Sequence, residues 1–159
     1  MRIGVMSDTH GHLATARRAI KDMGNVDVLV HLGDYCHDAV LLSAELQREI
    51  ISVKGNCDFS SSIPAEQIIE AEGLRIYATH GHQHGVKWDH DGIIDKARDL
   101  KADVVLFGHS HVAEIFADNG ILFINPGSIG EPRGSDTPSY AIIEIRNGKA
   151  YPYIVALSL

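Results

Sequence analysis

Two histidines, His109 and His111, stand two residues apart in Gly108-His109-Ser110-His111, directly after the apolar run Val104-Val105-Leu106-Phe107. Imidazole is the commonest metal-ligating side chain, and a ligand pair where a buried strand meets its loop is held rigid at little cost. Such a pair alone does not separate a metal ligand from solvated surface; the other strand ends decide. Asp8 and His10 follow Ile3-Gly4-Val5-Met6, Asp34 follows the run Val26 to Leu32, Asn56 follows Ile50 to Val53, and His80 follows Leu74 to Ala78. Ligands of open α/β sheets bind beyond the carboxyl ends of parallel strands, so these five clusters are expected at one edge of the fold. Two carboxylates, one amide oxygen and four imidazoles exceed what one tetrahedral zinc takes. They suit two divalent ions, with one carboxylate bridging and positions open for water and substrate. The absence of a thiolate argues against copper(I) or iron–sulfur, whereas mixed oxygen and nitrogen donors suit manganese, iron, cobalt, nickel or zinc.

The elements that must carry these residues are legible in the hydrophobic pattern. Ile3 to Met6, Val26 to Leu32 and Ile50 to Val53 have strand length. Between them, Leu13, Ala16, Ile20 and Met23 recur at helical spacing, and Asp38 is expected to cap a second helix running to about Arg48. This alternation alone predicts βαβ units and a largely parallel sheet. Past Pro64 the pattern changes. Hairpins are expected at 67–78 around Glu72-Gly73, at 112–124 around Asp118-Asn119-Gly120, and at 140–156 around Asn147-Gly148. A helix from Asp89 to Leu100, with Ile93, Ile94, Ala97 and Leu100 inward, precedes Val104. No repeat, low-complexity tract or linker interrupts the chain, so residues 1–159 are read as one domain.

Composition narrows the function. The hydrophobic share of 45% and charged share of 22% are those of a globular protein, and ten histidines are unusual at this length. A net charge of −7 argues against a general nucleic-acid binder, which would carry a basic face. It leaves a phosphate-bearing substrate open, because bound cations reverse the charge locally. No apolar run approaches the roughly 20 residues needed to span a membrane. Asp8 comes too early for the apolar part of a signal peptide, which predicts a cytoplasmic protein. Cys36 and Cys57 form no paired motif and are expected reduced.

Taken together, Asp8-Thr9-His10, Gly33-Asp34, Gly55-Asn56, His80 and Gly108-His109-Ser110-His111 resemble, in order, the pattern of the calcineurin-like metallophosphoesterase superfamily. The small size, Gly55-Asn56-Cys57-Asp58 and Asn125-Pro126-Gly127-Ser128 look like its compact bacterial and archaeal YfcE-type phosphodiesterase branch. The resemblance spans nearly the whole chain. It implies a four-layer α/β/β/α sandwich of two mixed sheets flanked by helices. It further implies one metal held by Asp8, His10, Asp34 and His111 and a second held by Asp34, Asn56, His80 and His109, bridged by Asp34. Of the two divalent ions, manganese is the one expected, with nickel, cobalt, iron or zinc as alternatives. The implied reaction is hydrolysis of a small phosphoester, a phosphodiester first and a phosphomonoester as the alternative, by in-line attack of a metal-bridging hydroxide on phosphorus.

Asp34, Asn56 and His82 are the expected catalytic residues, and Asn56, Cys57, His82 and Arg133 are expected against the substrate. Cys57 departs from the family pattern, because many of its phosphatases carry histidine there to protonate the leaving alkoxide. A thiol is a poor substitute. His82 and His12 lie close to ligands along the chain and are candidates to supply the proton. Activated aryl diesters are therefore expected to react better than alkyl ones. Other polar residues have plainer readings. His31 reads as a core histidine, and His37, His84 and His90 as surface. Asp89 and Asp91 read as a helix cap, Cys36 as a small buried residue, and Asn125 and Ser128 as loop-shaping. Arg133 fits either a phosphate contact or a solvated loop.

The competing reading is a scaffold like the phosphoesterase-like subunit of the retromer coat, which degraded ligand positions would favour. An amidohydrolase barrel needs about 200 residues or more. No glycine-rich nucleotide-binding signature is present. The apolar stretch Ile154 to Leu159 suggests an edge that pairs or is covered, and so a homodimer.

Overall fold

The computed structural model describes residues 1–59 and 61–158. The strand-length runs become ten strands among these residues: β1 (Arg2–Met6), β2 (Val28–His31), β3 (Ile51–Ser52), β4 (Glu66–Ala71), β5 (Leu74–Thr79), β6 (Val104–Leu106), β7 (Glu114–Asp118), β8 (Ile121–Asn125), β9 (Ser139–Arg146) and β10 (Lys149–Ala156). The helices are α1 (Leu13–Met23), α2 (Cys36–Leu46) and α3 (Asp91–Asp99), with a single 3-10 turn at His82–His84.

The strands form two five-stranded mixed sheets, ordered β10-β9-β1-β2-β3 and β4-β5-β6-β8-β7. In the first, β1, β2 and β3 run parallel, with Ile3 opposite Val28 and Val30 opposite Ile51, while β9 lies antiparallel to β1. In the second, β5, β6 and β8 run parallel, and β4 and β7 close the edges antiparallel. The alternation of short strands and helices thus marks two parallel trios in separate sheets, as the sandwich implied by the family resemblance requires.

Side-chain alternation explains why both faces of these strands are apolar. Ile3, Val5, Val30 and Leu32 of the first sheet meet Ile76, Ala78, Val104, Leu106 and Ile124 of the second in one core. The alternate positions face outward under helices. Met6, Leu29 and Ile142 pack against Ala16, Ala19 and Met23 of α1 and Ala39 and Leu42 of α2. Tyr77, Val105, Phe107 and Phe123 pack against Ile93 and Ala97 of α3. The result is four layers, helix, sheet, sheet, helix.

Several local expectations need correction. Helix α2 begins at Cys36 behind a left-handed Tyr35, so Asp38 lies inside its first turn and does not cap it. Strand β3 is two residues long and has a neighbour only on the β2 side. His84 is not a solvated surface residue: its Nε2 lies 3.0 Å from the Tyr77 hydroxyl, which donates to Glu66 at 2.7 Å. His90 is also tied down, with its Nε2 2.9 Å from Glu114. The cap position of α3 is His90 and not Asp89 or Asp91: Asp89 lies one residue earlier and accepts the Asp91 N–H at 3.0 Å, and Asp91 opens the helix. Cys36 is buried as expected. The apolar C-terminal stretch packs inward. Ile154 and Val155 lie against the cores and Leu157 is buried, while Leu159 lies outside the described residues. Among the described residues, no helix is long and apolar enough to cross a membrane.

Candidate metal centre

The carboxyl ends of β1 and β2 from one sheet and β5 and β6 from the other meet at one rim of the sandwich. The chain leaves these strands in a conformation that few residues adopt. Asp8 (φ 54°), His10 (φ 44°), Asp34 (φ 55°), His109 (φ 69°) and His111 (φ 61°) are all left-handed. For residues other than glycine each such position costs on the order of 1–3 kcal/mol and persists only where the surroundings hold it. Here the holding bonds are visible. Asp8 N–H donates to Gly33 O at 2.9 Å, Gly108 N–H to His80 O at 2.9 Å, and Gly130 N–H to Asp8 O at 3.1 Å. The long glycine-rich loop contributes as well: Ser128 Oγ donates to Asp8 O at 2.8 Å and Asn125 Nδ2 to Gly108 O at 3.1 Å. Asn125 and Ser128 therefore shape loops, as their types suggested. Gly55 is required for space, since a Cβ there would collide with the Asp34 carboxylate.

Turned this way, the side chains converge into two donor groups. One comprises Asp8, His10, Asp34 and His111, the other Asp34, His80 and His109, with the donor atoms of each group within 4.8 Å of one another. Asp34 belongs to both. His10 Nε2 lies 3.5 Å from Asp34 Oδ2, His80 Nε2 3.4 Å from Asp34 Oδ1, and His111 Nε2 3.1 Å from Asp8 Oδ1.

The hydrogen bonds behind the rings fix which nitrogen is free. His80 Nδ1 faces Leu32 O at 2.7 Å and His111 Nδ1 faces Glu131 O at 2.6 Å. A carbonyl only accepts, so both Nδ1 atoms carry hydrogen and each Nε2 points its lone pair inward, the usual back-support of a metal-bound histidine. Asp8 Oδ2 is taken by Ser7 Oγ at 2.6 Å and His109 N–H at 3.1 Å. Its Oδ1, like His10 Nε2, is buried without a hydrogen-bond partner. His80 Nε2 and His109 Nδ1 face each other at 3.2 Å, with room for at most one hydrogen. Orphaned buried acceptors and opposed lone pairs of mixed oxygen and nitrogen type fit divalent cations.

Without cations, protons must do this work. The Asp8 carboxylate, with its Oδ1 3.8 Å from His10 Nε2, raises the His10 pKa against the cost of burial. Burial opposes charge on His80, yet its Asp34 contact and the Asp8 charge carry it upward. Burial alone would raise both carboxyls. The imidazoles around them instead hold Asp8 well below the usual carboxylate range and Asp34 at about 2. His109 is lowered to about 4 by burial and by the charges of His80 and Lys87.

The other candidates sit around this pair. Asn56 is exposed, with its amide nitrogen 3.7 Å from Cys57 Sγ, and its loop is tied to the centre by Cys57 N–H donating to Asp34 Oδ1 at 3.0 Å. Partial desolvation and the Asp34 charge push the Cys57 thiol up to about 11. His82 has a buried Nδ1 without partner and a ring centred 5.4 Å from that of His80. Burial and the His80 charge lower its pKa. Arg133 has an exposed side chain, and its N–H donates to His111 O at 2.9 Å. His12 is exposed at the start of α1.

Below the centre lies a network that spacing did not reveal. Asp38 Oδ2 accepts the Thr9 hydroxyl at 2.7 Å and Gly11 N–H at 2.8 Å. The single Thr9 proton being spent there, Thr9 Oγ1 accepts from His31 Nε2 at 3.0 Å, and His31 Nδ1 accepts Gly33 N–H at 3.1 Å. Burial holds His31 neutral with a pKa of about 4. This chain of bonds locks the Asp8–His10 loop to the Asp34 loop. The available clue was an acid, Asp38, where a helix should turn inward. Thr9→Val is expected to strand the Asp38 carboxylate and the His31 N–H, lowering stability by about 2–4 kcal/mol in urea unfolding of the metal-free protein. A change below about 0.5 kcal/mol would show that the network holds nothing.

Comparison with known proteins gives the family. Residues 1–148 match the model of the calcineurin-like phosphoesterase superfamily domain. The chain is 38% identical over 154 residues to the Bacillus subtilis protein named "Probable metallophosphoesterase YsnB", covering 94% of this chain and 88% of that one. It is 34% identical over 147 residues to a phosphodiesterase of Methanocaldococcus jannaschii, covering 80% and 83%. A Streptococcus pneumoniae crystal structure described as a "predicted phosphoesterase" superposes with a TM-score of 0.83 at 32% identity, covering 98% of this chain and 88% of that one. The zinc complex of Entamoeba histolytica Vps29, 23% identical with a TM-score of 0.76 over 99% of this chain and all of that one, shares the fold. The chain belongs to the calcineurin-like phosphoesterase superfamily.

Proposed function

We propose that the protein is a metal-dependent phosphodiesterase with a dinuclear centre, one ion held by Asp8, His10, Asp34 and His111 and the other by Asp34, Asn56, His80 and His109. The observation that carries this reading is the membership of Asp34 in both donor groups, beside the orphaned Asp8 Oδ1 and His10 Nε2. Manganese is the expected ion, with nickel, cobalt, iron or zinc as substitutes the donor set also accepts. When bound, two such ions supply Lewis-acid charge to phosphoryl oxygens and lower the pKa of water enough to yield a hydroxide nucleophile at neutral pH.

The chain's own part is to hold charge and orientation. Asp8 and Asp34 stay ionised, and carbonyls behind His80 and His111 keep their lone pairs inward. Asn56 and Cys57, on the loop tied to Asp34, face the phosphoester, and His82 offers it an unpartnered ring nitrogen. Arg133, exposed on the loop bonded to His111, is a cation available to an outer phosphate oxygen. Neither Cys57 nor His82 is a good proton donor, because the thiol pKa is about 11 and the lowered imidazole pKa favours the neutral ring. Without an efficient general acid, a factor of about 10²–10⁴ is missing for poor leaving groups.

A metal-reconstituted screen tests this. Bis(para-nitrophenyl) phosphate is expected to turn over faster than para-nitrophenyl phosphate, and dialkyl esters about 100-fold or more slower than the aryl diester. Chelation should abolish all of it. Rates independent of leaving-group pKa would overturn the assignment of Cys57 and His82. A metal-loaded protein silent on every phosphoester would instead support the scaffold reading. Metal binding alone does not decide between them, because a fold relative described as Vps29 is itself described in complex with zinc.

A further inference from the structure

Beside the donor pair runs a groove of about 490 Å³, lined among others by Tyr35, Val40, Cys57, Asp58, Phe59 and Ile63. Its volume falls within the roughly 300–1,000 Å³ usual for small-molecule sites. We propose that this groove is the subsite for one ester group of the substrate and that it selects a planar aromatic ring. The proposal rests on the phosphodiesterase reading above and adds the substrate class to it.

Three observations carry it. The groove is continuous with the centre: Tyr35 follows Asp34 directly, its ring lies 5.1 Å from that of His10, and Cys57 donates its N–H to Asp34. A phosphorus atom held at the donors would therefore project a substituent into it.

The groove is also built before any ligand arrives. Tyr35 lines the groove from a left-handed backbone at φ 64°, immediately after Asp34 at φ 55°. Asp58 ties the two loops that line the groove together, its Oδ1 accepting Cys36 N–H at 2.8 Å and its Oδ2 accepting Gly55 N–H at 2.7 Å.

The third observation is chemical. Phe59 is 86% exposed, Val40 50% and Tyr35 44%, an apolar and aromatic wall left in water beside a strongly polar centre. Among the described residues that line the groove there is no lysine or arginine, and Asp58 contributes negative charge. A second phosphate would meet the Asp58 carboxylate with the His37 imidazole and the Ser61 and Ser62 hydroxyls as its partners and no fixed cation among them, whereas an uncharged ring can stack on Tyr35 and Phe59. Stacking of a base or aryl ring on such side chains is sequence-tolerant and worth from several-fold to more than tenfold in affinity.

Phosphonates test this without bond cleavage, because their carbon–phosphorus bond removes the leaving group from the comparison. Calorimetry on the manganese-loaded protein would compare methyl-, cyclohexyl- and phenylphosphonate. Phenylphosphonate is expected to bind about tenfold more tightly than methylphosphonate. Phe59→Ala and Tyr35→Asn should bring that ratio to about twofold or less; asparagine is chosen because it tolerates the left-handed backbone. Cyclohexylphosphonate binding as tightly as phenylphosphonate would overturn the aromatic selection, and so would a ratio unmoved in both variants. Adenosine monophosphate against ribose phosphate then identifies the source of the ring. Preference for the nucleotide assigns nucleoside esters, and preference confined to phenylphosphonate assigns simple aryl esters. Absence of metal binding or of all phosphoester turnover defeats the phosphodiesterase reading. A metal-loaded, active protein with equal affinity for methyl and phenyl defeats the groove alone.

Discussion

Asp34→Asn is expected to lower turnover of bis(para-nitrophenyl) phosphate by at least about a thousandfold, the scale of losing a principal charge-stabilising group from an active site. The substitution is close to isosteric, and asparagine is among the residues that tolerate the left-handed conformation observed at φ 55°. The fold should therefore survive, and the loss should be chemical. What disappears is one negative charge facing both His10 at 3.5 Å and His80 at 3.4 Å. An amide cannot serve both donor groups as a carboxylate does, so metal content measured by mass spectrometry is expected to fall from two ions per chain to one or none. A readout independent of activity exists in the metal-free protein. The His80 pKa, raised by its Asp34 contact, should move down in the variant when followed by NMR titration. A fully active variant, or one that still carries two ions, would sink the dinuclear reading.

Much of this centre was legible because strand ends and ligand types coincide in the sequence. Buried strands announce themselves as apolar runs, and a polar residue immediately beyond such a run has few structural reasons to be histidine or aspartate. Asp8, His10, Asp34, His80, His109 and His111 all stood out this way, and the structure brings them within one cluster. Tyr35 and the Thr9–His31–Asp38 network did not stand out, for a physical reason. Their importance lies in contacts between loops of different strands, with Thr9 and Asp38 29 residues apart, and no local period encodes such pairings. The start of α2 was misjudged for a related reason. Asp38 has a capping side chain by type, but its carboxylate is drawn to Thr9 and Gly11, and the helix begins behind Tyr35 instead. Local preference yielded there to the needs of the site. The strain follows the same logic: left-handed Asp8, His10, Asp34, His109 and His111 have no sequence signature, since side chains other than glycine carry them.

Binding of manganese is expected to raise the melting temperature by roughly 10 °C at about pH 8 and by little at about pH 5. The size follows from linkage: a ligand at about a thousand times its Kd stabilises by about 4 kcal/mol, which for a domain of this length is about 8–16 °C. The pH dependence follows from what must leave when the ion enters. In the metal-free protein the raised pKa values of His10 and His80 mean that their imidazolium forms balance Asp8 and Asp34. A group whose folded pKa is raised contributes stability that is complete below its unfolded value, near 6.5, and is lost as pH rises through the folded value. As pH rises through those raised folded values the proton-based contribution fades, the carboxylates lose counter-charge, and a divalent ion competes with fewer protons. At about pH 5 the same imidazoles hold protons that the ion must displace. The carboxylates are not the cause, since Asp34 at about 2, and Asp8 lower still, remain ionised there. Nor is His31. Its lowered pKa of about 4 makes both forms lose stability as pH falls below its unfolded value near 6.5, and this cancels in the difference between loaded and metal-free protein. Differential scanning fluorimetry with manganese and with chelator at the two pH values reads the effect directly. Equal metal-induced shifts at both would show that neither His10 nor His80 exchanges a proton for the ion, and would remove them from the ligand set.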